Sequence, residues 1–187
     1  MTGGDQSQIG KGNPLWEFSL WAYGLQGVDK ALLSLQDRMG ADVNMVLFCV
    51  WLAYRGGSAS DLTENMSNAL KLSREWQVAM VAPIRKCREN LKVLIEGSGM
   101  SGETKAQMEG LRERIKANEI DLEALQIVAL HGLVRGRNDK DLGAPIDIVT
   151  QKEDAQNYLN VYFTACGIQL DTLAQSHVLR ILNGVFK

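Results

Sequence analysis

Cysteine, histidine and proline are all scarce in this chain of 187 residues, with three, two and three copies respectively. Cys49, Cys87 and Cys166 stand far apart in no metal-like spacing, and an odd number excludes a complete disulfide framework. A reducing, cytoplasmic setting is therefore expected. An excess of one charge is also missing. Twenty basic residues face twenty-two acidic ones, which leaves nothing over to neutralise phosphates and speaks against a nucleic-acid partner. Long hydrophobic runs are absent too. The most apolar window, Met45 to Tyr54, has ten residues, whereas a membrane-spanning helix needs about 20; it reads as a buried core helix. The only cations on the last helix are Arg180 and Lys187, too few for a membrane-surface face. Residues 1–13 carry no apolar stretch that could serve as a secretory signal and read as a flexible tail.

What is present is helical periodicity, with no convincing strand alternation. Asn13-Pro14 is a helix start, Asn capping and Pro taking the first helical position. Val28 to Met39 ends at Gly40, and Asp42 caps a helix running to Arg55. A short helix opens at Ser60 or Asp61 and runs towards Leu70, and another follows Ser73. The latter carries Trp76, Met80, Ile84, Cys87, Leu91 and Leu94 at helical spacing, with Pro83 predicting a kink or restart near Val81. Cys87 is expected to be buried in that seam.

After the glycine-rich stretch Gly97–Gly102, a run from Glu103 to Val134 holds a heptad. Met108, Ile115, Leu122 and Ala129 form one line, and Leu111, Asn118 and Leu125 the other. Two narrow apolar seams joined by a short loop predict an antiparallel hairpin, with Asn118 setting register or facing solvent. Residues 137–150 read as a connector and 151–187 as a possible C-terminal elaboration of two helices, from Lys152 to Cys166 and from Asp171 to Val185. The expected class is all-α: one domain over 14–187, a helical bundle with a long antiparallel hairpin.

Catalytic signatures are mostly missing: there is no HExxH, no glycine-rich phosphate loop, no paired CxxC and no GxSxG. No catalytic residue, metal ligand or cofactor is assigned. Asn138, Asp139 and Asp141 resemble a calcium loop only faintly, since its glycine and its twelfth-position glutamate are misplaced. His131 and His177 read as edge or satisfied core residues. Glu119, Asp121 and Glu123 read as a solvated face. The tryptophans Trp16, Trp21, Trp51 and Trp76 read first as core, and otherwise as a pocket lining or an anchor for a partner. Arg85 and Arg88 form a fork on one helix face, and Glu89, Glu109 or Glu113 are its expected internal partners.

Several stretches resemble a family of small proteobacterial proteins of unknown function. They are Leu15-Trp-Glu-Phe-Ser-Leu, the longer Leu35-Gln-Asp-Arg-Met-Gly-Ala-Asp-Val-Asn-Met-Val-Leu-Phe48, and the pattern Trp76, Val81, Pro83, Ile84, Arg85, Arg88. Leu111-Arg-Glu-Arg-Ile-Lys116 and Glu119 also fit. The resemblance spans roughly residues 14–130 and implies a small cytoplasmic helical protein, with no activity, cofactor or catalytic residue attached. Within these motifs Gln36, Asp37, Asp42 and Asn44 crowd a helix–helix turn with more polar groups than capping needs. Together with Trp76, Arg85 and Arg88 they form the candidate interaction or ligand site. The leading expectation is a non-enzymatic adaptor with a protein partner, a homodimer through the seam being one form of it. The alternative is a small-molecule or enzymatic pocket lined by tryptophans and the Asp/Asn/Arg group.

Overall fold

The computed structural model describes residues 9–56, 59–97, 99, 102–134 and 147–187, with 59–64 as backbone alone. Helix α1 (Pro14–Tyr23) starts where Asn13 Oδ1 accepts from the backbone N–H groups of Leu15 and Trp16, both at 3.1 Å. Helix α2 (Val28–Met39) closes on Gly40 in the left-handed region, φ +68°, with the Gly40 and Ala41 N–H groups returning to the carbonyls of Gln36 and Leu35. Asp42 opens α3 (Val43–Tyr54) by accepting from Asn44 N–H at 2.9 Å. These caps are the ones the sequence names. Of the expected tail, residues 1–8 lie outside the described residues. Gly10 to Asn13 form a turn in which Gly12 N–H donates to Glu17, and Gly10 lies against the Trp16 ring.

Helix α3 is apolar on every side except at Asn44 and is buried at every residue from Val43 to Ala53. Such a helix has to be enclosed. The first two helices, the hairpin described next and α7 (Ile148–Ala165) surround it, while α8 (Thr172–Val185) lies along α2. Tyr158, Leu159, Tyr162 and Phe163 of α7 and Val178, Ile181 and Leu182 of α8 join the same core as α3. Helix α7 starts at Ile148 rather than Lys152, because Asp147 caps it by accepting from Val149 and Thr150 N–H at 2.9 and 3.0 Å. The rest of the connector, with Asn138, Asp139 and Asp141, lies outside the described residues.

The hairpin departs most from expectation. Helix α4 (Ala59–Trp76) runs without the break expected at Leu70, through a π-helical turn (Gln77–Val81), into α5 (Ala82–Gly97). In that turn Ala82 N–H bonds back five residues to Gln77. Pro83, which has no N–H to give, follows directly, and the restart expected near Val81 takes the form of this turn, with α5 beginning at Ala82. The π turn takes up one extra residue, and the inward face beyond it moves by one. Val81, Arg85, Arg88, Leu91 and Ile95 turn inward or half-inward, while Met80, Cys87 and Leu94 are exposed, contrary to the expected seam.

Helix α6 (Gly102–Leu133) returns antiparallel. Its line through Met108, Ile115 and Leu122 is at least half-buried as expected, but Leu111, Asn118 and Leu125 are exposed. The second line is instead Arg112, Glu119 and Gln126, so half of the seam is polar. No strand occurs among the described residues; the protein is all-α. Nor is any described helix long and apolar enough to cross a membrane.

Candidate functional site

The π turn delivers Arg85 and Arg88 to the α6 face that carries Glu119 and Glu123. Arg85 Nε donates to Glu119 Oε1 at 2.8 Å, Arg88 Nε to Glu119 Oε2 at 2.6 Å, and Arg85 Nη2 to Glu123 Oε1 at 2.7 Å. The expected internal partners, Glu89, Glu109 and Glu113, are not the ones used. Nor are Glu119 and Glu123 a solvated face: Glu119 is buried and Glu123 half-buried, and four residues of helix put both on one side. Burial alone would raise the pKa of Glu119, but the hydrogen bonds and charges of Arg88 and Arg85 outweigh it and hold the carboxyl below its usual range. Glu123 moves the other way. Burial raises it, and Arg85 offsets that only in part.

Beneath this ion pair lies a neutral-donor network around Asp42. Its Oδ2 accepts from Gln126 Nε2 at 2.6 Å and from Ser73 Oγ, and its backbone N–H donates to Tyr162 Oη at 2.8 Å. Gln126 is fully buried, and its Oε1 accepts from Asn44 Nδ2 at 2.9 Å and Gln77 Nε2 at 3.3 Å. A buried amide of this kind is tolerated only when its polar atoms are engaged, and here α3, α6 and the π turn meet on it. Trp76 Nε1 donates to the Leu122 carbonyl at 2.9 Å and pins α4 to α6 from the outside.

A cavity of about 570 Å³ opens where α1, α2, α3, α5 and α6 meet. Gln36, Asp37, Asp42, Asn44, Arg85 and Arg88 all line it. Trp76 does not; it lies behind the wall. Of the other tryptophans, Trp16 lines the cavity, Trp51 is core and Trp21 is exposed on α1. Trp16, Leu20, Tyr23 and Leu33 of α1 and α2 add apolar and aromatic surface to a lining whose charged groups come mostly from α5 and α6. Partial burial, with the Glu123 carboxyl next, pushes the Tyr23 phenol up to about 12, so it faces the cavity as a neutral donor. His131 sits at the edge of the core, its Nδ1 3.1 Å from Asn13 Nδ2 and its ring edge-on to Trp51.

Comparison with known families gives one result. Residues 14–130 match the model of a family described as protein of unknown function (DUF2390). The chain belongs to that family. The matched stretch ends near the end of α6 and contains every described residue that lines the cavity, whereas α7 and α8 lie beyond it. No curated protein and no solved structure matches the chain.

Sequence reasoning did not find Glu119, Glu123, Gln126, Gln77 or Ser73 as parts of one assembly. A signal for Glu119 and Gln126 existed. Arg112, Glu119 and Gln126 repeat every seven residues, four behind Met108, Ile115 and Leu122. An apolar search reads the line Leu111, Asn118, Leu125 in preference.

Proposed function

We propose that this DUF2390 member is a small-molecule-binding protein whose site is the cavity between the N-terminal helices and the base of the hairpin. The observation carrying this reading is convergence: polar side chains from α2, α3, α5 and α6 line one hollow of about 570 Å³ whose lining also carries apolar and aromatic side chains. That volume falls within the roughly 300–1,000 Å³ of ordinary ligand sites, and a mixed lining with a few fixed polar groups is their usual make-up. Binding is favoured over catalysis by the way the ionised groups are occupied. Glu119 is clamped by two arginines, and Asp42 serves as helix cap and network acceptor. Such groups give a rigid wall. Three free cysteines accord with a cytoplasmic setting.

The test is a fragment screen by thermal shift on the full chain and on Gln36→Trp, which places an indole in the cavity from a half-buried position on α2. The expected result is a set of fragments that raise Tm in the wild type and not in the variant. Hits that persist in Gln36→Trp, or an absence of hits, would contradict the reading.

A second reading, a protein-partner role, is favoured by the hairpin tip. In α5 only Ile95 is buried, while Val93 and Leu94 are 66% and 57% exposed. Exposed apolar side chains on a two-helix arm suit a helical partner, a second copy included. Light scattering and affinity capture with wild type and Val93→Glu/Leu94→Glu test it; a monomer whose captured partners are indifferent to the double change counts against it.

A further inference from the structure

We infer that the ligand of this cavity is a small organic cation, an ammonium or guanidinium head on an apolar body; this rests on the reading of the cavity as a binding site. Charge balance at the wall is the first argument. Among the described residues it carries five carboxylates, Asp37, Asp42, Glu89, Glu119 and Glu123, against three cations, Arg85, Arg88 and Lys116. The cavity therefore holds a surplus of negative charge in a partly desolvated setting, where an incoming cation gains more than it would in water.

The second argument concerns which charges are still available. An anionic ligand would need the Arg85–Arg88 fork, but Glu119 already fills it, each of its oxygens accepting from an arginine Nε. Displacing a buried, doubly bonded carboxylate in favour of an external one costs its burial again. Among the described residues, Lys116 is the one cation of the lining outside that fork, and it is outnumbered by Asp37 and Glu123. On the acidic side, Glu123 is held among the described residues by one side-chain bond, from Arg85, and its other oxygen has acceptor capacity left. Asp37, exposed on α2, is a second carboxylate of the same lining and has no side-chain partner to displace among the described residues. A cationic head between Glu123 and Asp37 would complete the charge balance. Trp16, Leu20 and Tyr23 supply the apolar and aromatic surface for the rest of the molecule, and aromatic faces attract cations as well.

Three probes sharing a phenylethyl body separate the possibilities: 2-phenylethylammonium, 2-phenylethanol and 3-phenylpropanoate, titrated calorimetrically into the full chain at low salt. The inference expects the ammonium to bind at least tenfold more tightly than the alcohol. It also expects the margin to shrink several-fold in Glu123→Gln and in Asp37→Asn, the second being a surface change that leaves the fold undisturbed. If the alcohol or the propanoate binds equally well or better, and Gln36→Trp blocks it, the inference falls while the binding site stands. If none of the three binds, the inference falls. The site reading falls with it only if the fragment screen also returns no Gln36→Trp-sensitive hit.

Discussion

At the scale of single residues, Glu119 is where fold and site meet. It pairs with two half-buried arginines: Arg88, which has no other ion pair among the described residues, and Arg85, which also reaches Glu123. Glu119→Gln is expected to cost about 1–3 kcal/mol at neutral pH, the range for losing charge-assisted bonds in a shielded place. Urea unfolding measures it. The pH dependence has a definite sign. Because the folded-state pKa of Glu119 is depressed, its contribution is complete above the unfolded value of about 4.3 and disappears as pH falls through the folded value. The gap between wild type and Glu119→Gln should therefore close in acid. Glu123, whose pKa is raised, works oppositely: ionising it costs stability above its folded pKa, so Glu123→Gln should be neutral or stabilising at pH 7. Much at this scale was legible in advance. The capping roles of Asn13 and Asp42 follow from turn chemistry, which also groups Gln36, Asp37, Asp42 and Asn44, and helical spacing groups Arg85 with Arg88; neither joins the two sets. Glu119 and Glu123 were not legible as buried groups, because a carboxylate reads as solvent-facing until the cation that faces it is placed.

At the scale of elements, the π turn decides which residues of α5 meet α6. An extra residue in a helical turn is invisible to a period of 3.6, so the sequence pattern put Cys87 and Leu94 inward, where the structure exposes both. Polar occupancy of the second seam line hid the matching face of α6 for the same reason: the hydrophobic period carries no information where the buried groups are charged. Interhelical fit can be tested with two glycines. A Cβ on Gly184 of α8 would come 2.7 Å from Val28 Cγ2 of α2, and Val28 is itself fully buried. Gly184→Ala is expected to destabilise by about 1–2 kcal/mol despite alanine's better helix propensity. Gly132 of α6 meets nothing within 4 Å, and Gly132→Ala should stabilise by about 0.5–1 kcal/mol. Thermal melts of the two variants should move in opposite directions.

At the scale of the whole molecule, the family match ends near the end of α6, but the core does not. Helix α3 is covered by α7, and α2 by α8, so residues 1–134 alone would leave a helix that is apolar except at Asn44 open on one side. That fragment is expected to bind the dye ANS and to melt without a cooperative transition, whereas the full chain melts as one unit. The two C-terminal helices therefore support the cavity from behind, by fixing the helix that carries Asn44 and Leu47 into its wall. Whether the cavity takes a ligand is read out by protein-observed NMR of the isotope-labelled full chain during titration with 2-phenylethylammonium, 2-phenylethanol or 3-phenylpropanoate. Saturable shifts are expected at cavity-lining groups such as the Trp16 indole N–H and the Asn44 amide, and their loss in Gln36→Trp. Shifts confined to the hairpin tip around Val93 and Leu94, with the cavity signals unmoved by every probe, would contradict the proposed binding role.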